Sequence, residues 1–333
     1  MTFDDAHGES PQDKRKKHRY KPSFPRGHRR RRFRRHGRRA YIRSVYFLPS
    51  MATLGNAVCG FGAMYVAAMA AVEYTSAGEH PFVFRDPWTN FWARNGFVAA
   101  AYLIFLSMVF DALDGRLARF TRHTTDFGGQ LDSLADVMSF GAAPAFIALQ
   151  LFKTEIPRIS PNLPLELSRL IWAVGALYFS CAAVRLARFN VSNKHGEQHH
   201  FSFLGLPSPG AGGAVAAWIL MQQDLRRNAL HAGLDTRAGT VFDTLANICL
   251  IILPFLVLAT GLLMVSNFRY PHVVNRWLRG RRSIARLIVI LALLLLLIVW
   301  HEYTLAIGIM IYSLWGVTSY LYLRTRSWAQ VRA

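Results

Sequence analysis

The chain has 333 residues, is 52% hydrophobic and carries a formal net charge of +20. A soluble domain of this length spreads its charges along the chain; here 16 of the 39 Lys and Arg fall between Lys14 and Arg43, and most of the chain beyond Arg43 is apolar. That segregation argues against a soluble globular domain and for a basic tail followed by a membrane domain.

Residues 1–43 form the expected tail. They are poor in aliphatics and interrupted by Pro22, Pro25, Gly27 and Gly37, so the segment cannot bury enough apolar surface to fold alone. The role that fits it best is attraction to anionic lipid headgroups, worth about 1 kcal/mol per basic residue near the surface. Nucleic-acid binding would rest on the tail alone, and no specific nucleic acid is expected. The three cysteines, Cys59, Cys181 and Cys249, sit in apolar segments without CxxC spacing, which excludes a disulfide framework and a thiolate metal site.

Eight apolar stretches come after the tail, near 46–72, 95–113, 133–152, 167–187, 209–222, 242–265, 284–300 and 303–323. Each is read as a bilayer-spanning helix, for which about 20 mainly apolar residues are needed. The fifth is short and rich in Gly and Ala, a composition suited to close helix packing. With the tail inside, the basic connection holding Arg269, Arg276, Arg279, Arg281 and Arg282 also falls inside, as do Arg324, Arg326 and Arg332 at the C-terminus. Residues 223–240 fit this topology least well, since it places Arg226, Arg227 and Arg237 outside.

Asp111 to Asp136 reads DALDGRLARFTRHTTDFGGQLDSLAD. Asp111 and Asp114 are spaced i, i+3 and Asp132 and Asp136 i, i+4, so each pair shares a helix face. Two carboxylates close one apolar run and two open the next, and the short connection makes the two helices antiparallel neighbours with converging faces. Four carboxylates so placed repel one another. Divalent metal is the economical compensation, and oxygen ligands without a nearby Cys or suitably spaced His select Mg²⁺, Mn²⁺ or Ca²⁺ over Zn²⁺. Two metals about 4 Å apart can clamp a phosphoryl group. Gly115, Ala118 and Gly128 remove bulk beside the carboxylates, and Arg119 and Arg122 offer positive charge to phosphate. A cation-coupled transporter would also hold intramembrane acids.

The pattern Asp111-x2-Asp114-Gly115-x2-Ala118-Arg119-x8-Gly128-x3-Asp132-x3-Asp136 resembles, at every defined position, the signature of the CDP-alcohol phosphatidyltransferase family. The resemblance implies an all-α integral membrane fold: a six-helix core within 44–270, and two additional spans within 271–333, about eight in all. It implies that Asp111, Asp114 and Asp132 are metal ligands at a two-metal site taking Mg²⁺ or Mn²⁺. Asp136 becomes a second-metal ligand and the general base. Gly115, Ala118, Arg119 and Gly128 would line the CDP site, and Thr53 and Asn56, polar residues on one face of the first span, would lie beside the diphosphate. For Thr53 and Asn56, a bond to a neighbouring helix is an equal alternative.

Three further stretches, SCAAVRLARFNVSN, FSFLGLPSPGAGG and LLMVSNFRYP, resemble those of bacterial phosphatidylserine synthases within that family. The implied reaction joins CDP-diacylglycerol to L-serine, giving phosphatidylserine and CMP. Arg185 and Arg188, at i, i+3, could grip the serine carboxylate as a guanidinium fork, or serve topology and lipid phosphate instead. Asn190 could bind substrate or cap its helix. Glycerol 3-phosphate, inositol phosphate and choline stay open as acceptors. His199 and His200 are read as solvated. The sequence leaves room for a homodimer, and the expected site is a multi-pass cell (inner) membrane with both termini and the active site facing the cytoplasm.

Overall fold

A computed structural model describes residues 50–72, 95–121, 126–160, 165–194, 202–271 and 284–332. The basic tail, Arg122, His199, His200 and most of the basic connection, from 272 to 283, lie outside the described residues. The elements in chain order are α1 (Ser50–Val72), α2 (Gly96–Thr121), α3 (Asp126–Asp136), a π-helical segment (Val137–Ala142), α4 (Ala143–Ile159), α5 (Leu165–Lys194), β1 (Ser202–Leu204), α6 (Ser208–Ala232), α7 (Arg237–Val265), β2 (Arg269–Pro271), α8 (Ile284–Val299) and α9 (His301–Arg332). The expected all-α membrane architecture is what forms, and each of the eight apolar stretches is helical along its described residues. Among the described residues, five segments are long and apolar enough to cross a bilayer: Ser50–Val72, Gly96–Leu117, Phe127–Ile159, Glu166–Val191 and Arg237–Val265.

Helix α6 is the internal post of the bundle. It packs against α7, α9 and α2, and every residue from Ala211 to Ala217 is buried. Its small side chains let neighbouring backbones come close. A Cβ on Gly212 would stand 3.3 Å from the Cα of Phe140, and one on Gly213 would stand 3.2 Å from Sδ of Met108. By contrast, the leucines of α8 from Leu293 to Leu297 are exposed, as suits a lipid-facing helix.

Two of the three arginines that fitted the topology least well, Arg226 and Arg227, are paired. Buried Arg226 on α6 donates to Oε2 of Glu155 on α4 through Nε (3.2 Å) and Nη2 (2.7 Å), and its Nη1 meets Asp243 on α7. Glu155 is 1% exposed. Arg227 pairs with Asp224 at 3.2 Å. These cations are neutralised by neighbouring carboxylates, so they do not weigh against an outward placement as free charges would.

The only strands among the described residues form a ribbon at the ends of α5, α6 and α7. β1 and β2 are antiparallel, with Ser202 opposite Pro271, Phe203 opposite Tyr270 and Leu204 opposite Arg269. Gly205 then turns the chain into α6 with φ of 80°, and a Cβ there would meet the carbonyl oxygen of Met264 at 2.3 Å. Only glycine satisfies both the left-handed backbone and the close approach.

Candidate active site

The helices that carry the aspartates extend beyond their apolar runs. Asp111 and Asp114 do not close a helix, since α2 continues to Thr121, and α3 opens at Asp126, six residues before Asp132. The intervening residues include good helix formers such as Arg, Leu and Gln, so helical propensity outlasts hydrophobicity. Two helical extensions therefore project past the apolar spans with the carboxylates at their bases.

The convergence expected from spacing is present. One carboxylate oxygen from each of Asp111, Asp114 and Asp132 lies within 4.8 Å of the others. Asp114 and Asp136 are buried, and Asp111 and Asp132 are half-buried. Oδ2 of Asp114 and Oδ1 of Asp132 are buried without a hydrogen-bond partner. Such atoms are costly to leave unpaired. An oxygen-only donor set with orphaned lone pairs, in a cluster of this span, fits a divalent cation. No protein group among the described residues satisfies these two atoms.

Asp136 is held separately. Its Oδ1 accepts from Nδ2 of Asn56 on α1 at 3.1 Å, and the Thr53 hydroxyl, one turn earlier, hydrogen-bonds to Asp114. Both α1 residues are buried, Asn56 completely. Both therefore bond to neighbouring helices, and the groups they hold there are the carboxylates themselves. Directly after Asp136 the helix widens into the π-helical segment Val137–Ala142. Such segments cluster at functional sites because they re-aim the side chains around them. This one is fixed from three sides. Ser139 Oγ donates to the carbonyl of Asn56 at 2.8 Å, Tyr178 Oη on α5 donates to the carbonyl of Phe140 at 2.9 Å, and Gly212 of α6 abuts Phe140.

The other expected residues fall in several surroundings. A Cβ on Gly115 would meet nothing within 4 Å, so the space beside Asp114 is open. Gly128 lies in the first turn of α3, and Ala118 and Arg119 continue α2. Arg185 is half-buried, donates from Nη1 to Ser208 Oγ at 2.7 Å, and lies in electrostatic reach of Asp111 and Asp136. Arg188 is exposed and donates from Nη2 to Asn267 at 3.0 Å. The two arginines thus share a helix but not a surrounding. Asn190 neither caps its helix alone nor stands open: its Nδ2 donates to Ser133 Oγ at 2.8 Å, next to Asp132. Spacing within one helix gave no sign of Ser208, Ser139 or Tyr178; Ser208 at least lies in the stretch FSFLGLPSPGAGG.

Fold and site together define a multi-pass helical membrane protein with a carboxylate cluster able to hold a divalent cation at one end of the bundle. The chain belongs to the CDP-alcohol phosphatidyltransferase family, whose model matches residues 46–232. It is similar to a CDP-diacylglycerol–serine O-phosphatidyltransferase of Helicobacter pylori, with 34% identity over 69% of this chain and 83% of that one. A protein of the same description from Methanocaldococcus jannaschii is 30% identical over 52% of this chain and 64% of its own. An archaetidylserine synthase of Methanothermobacter thermautotrophicus is 29% identical over 53% and 59% respectively.

Proposed function

We propose that this protein transfers the phosphatidyl group of CDP-diacylglycerol to L-serine, releasing CMP. The observation that carries the reading is the cluster of Asp111, Asp114 and Asp132 with Asp136 fixed beside it. Relatives described as serine phosphatidyltransferases support the acceptor.

Asp111, Asp114 and Asp132 would hold Mg²⁺ or Mn²⁺, with Asp136 completing a second position. Bound there, the cations would neutralise the diphosphate and the charge that develops on the departing CMP. Asp136 acts as the general base. The Asn56 amide occupies Oδ1, which leaves Oδ2 to take the proton as the serine oxygen bonds to the β-phosphorus and the bond to CMP breaks. Thr53 and Asn56 act on the substrate through the carboxylates they hold. Gly115, Ala118, Arg119 and Gly128 line the nucleotide side, where the open space at Gly115 admits a flat base or diphosphate. Arg185 anchors the serine carboxylate, and Arg188, at the surface, contributes field and a second donor.

The carboxylate end and both termini face the cytoplasm in an inner membrane. The lipid enters sideways from the bilayer, and residues 1–43 attract anionic headgroups. The test is CMP release by purified protein from CDP-diacylglycerol with a panel of acceptors. L-Serine should be the preferred one. Faster release with glycerol 3-phosphate would reassign Arg185 and Arg188 to an acceptor phosphate. Release with no acceptor in the panel would remove the transferase reading.

A further inference from the structure

The family match ends at residue 232, yet the turn that holds Arg185 is packed by a residue from well beyond it. Arg185 is held by Ser208, and its Nε is buried without a partner. Ser208 opens α6, and in the same turn Gly210 makes room for a ring from α9: a Cβ on Gly210 would stand 3.5 Å from Cε1 of Tyr312. Tyr312 therefore packs on the turn that holds Arg185. It also lies in electrostatic reach of that guanidinium.

The placement of Tyr312 is fixed by its neighbours. Tyr270 of β2 is fully buried, and its hydroxyl donates to the carbonyl of Ser313 at 3.0 Å. Burial, with Tyr312 as a lesser cause, pushes the Tyr270 phenol up to about 12, so it stays a donor at neutral pH. Its ring lies 5.7 Å from that of Tyr312 and fills the space over Gly316, where a Cβ would come within 2.3 Å of Cζ. Phe203 opposite Tyr270 ties this anchor to β1. The ribbon thereby sets the rotation and height of α9 against α6.

We propose that Tyr312 is a positioning residue for the acceptor: with Ser208, it braces the Arg185 guanidinium from two helices so that the acceptor's carboxylate meets a pre-set partner. This rests on Arg185 being the acceptor anchor. A free arginine loses rotamer entropy when it binds, and bracing it beforehand removes part of that cost. The ring packs against Gly210 in the turn that holds Ser208, and the phenol dipole acts on the guanidinium through space.

The experiment compares full-length wild type, Tyr312→Phe and Arg185→Lys in mixed micelles of CDP-diacylglycerol. It reads the apparent KM for L-serine, that for CDP-diacylglycerol, and kcat. Tyr312→Phe keeps the ring and the packing. It should raise the serine KM about threefold to tenfold and leave the lipid KM and kcat within about twofold. A purely structural tyrosine would lower thermal stability without moving the serine KM. If the serine KM is unchanged in Tyr312→Phe but raised in Arg185→Lys, the proposal is overturned while the Arg185 assignment stands. If neither variant moves it, both are overturned. An equal rise for both substrates also overturns it.

Discussion

Nδ2 of Asn56 donates to Oδ1 of Asp136 at 3.1 Å, joining the first described helix to a residue 80 positions later. The bond selects which carboxylate oxygen remains for proton transfer. Asn56→Ala should therefore lower kcat about tenfold to a hundredfold, as expected for a hydrogen bond to a charged group, with little change in either KM. Steady-state kinetics on the purified variant check this. Unchanged kcat would mean that the carboxylate orients without the amide.

The aspartates should separate by role. Asp136→Asn should reduce turnover by roughly 10²–10⁴, the usual contribution of a general base, and change the substrate KM values less. Asp111→Asn and Asp132→Asn remove ligand charge and should shift the Mg²⁺ titration of activity to higher concentration. A normal titration in both ligand variants would remove them from the metal site.

The π-helical turn after Asp136 depends on close packing by α1. A Cβ on Gly60 would stand 2.4 Å from Ser139 Oγ and 2.7 Å from its Cα. Gly60→Ala should therefore destabilise by about 1–3 kcal/mol, as overpacking does, and should lower kcat by displacing Asp136. Gly308→Ala is the control, since a Cβ there meets nothing within 4 Å, and it should be neutral or mildly stabilising. Thermal unfolding in detergent and kcat, read on both variants, decide the matter. A Gly60→Ala protein with wild-type Tm and turnover would contradict this packing account.

Arg226 lies eighteen residues along α6 from Ser208, about 27 Å at ~1.5 Å per residue, so the buried ion pair and the site occupy opposite ends of that helix. Arg226→Leu removes the buried cation between Glu155 and Asp243, leaving Glu155 the more exposed Arg158 at 3.8 Å, and should cost about 3–5 kcal/mol. The double variant Arg226→Leu with Glu155→Leu should recover a large part of that stability, measured as Tm in detergent. No recovery would show that the arginine acts through packing alone.

Much of the site was legible because the eight-position pattern from Asp111 to Asp136 is local: helix periodicity alone places each aspartate pair on one face. The extension of α2 to Thr121 was not legible, because apolar content ends near residue 113 while helical propensity continues. Nor was the π-helical turn, which is imposed by Gly60, Tyr178 and Gly212 from other helices rather than by Val137–Ala142. The pairing of Arg226 was hidden for a related reason: Glu155 is 71 residues away in sequence. Arg185 and Arg188 looked equivalent at i, i+3, and only α6 and the segment before β2 give them different partners.

The central claim is that this carboxylate cluster joins a CDP-activated lipid to serine. Purified protein in CDP-diacylglycerol micelles should convert isotopically labelled L-serine to labelled phosphatidylserine when Mg²⁺ or Mn²⁺ is present. Conversion should cease with EDTA, return on adding metal back, and be absent in Asp136→Asn within the same assay time. Labelled phosphatidylserine formed at an undiminished rate in EDTA, or by Asp136→Asn, would contradict the account.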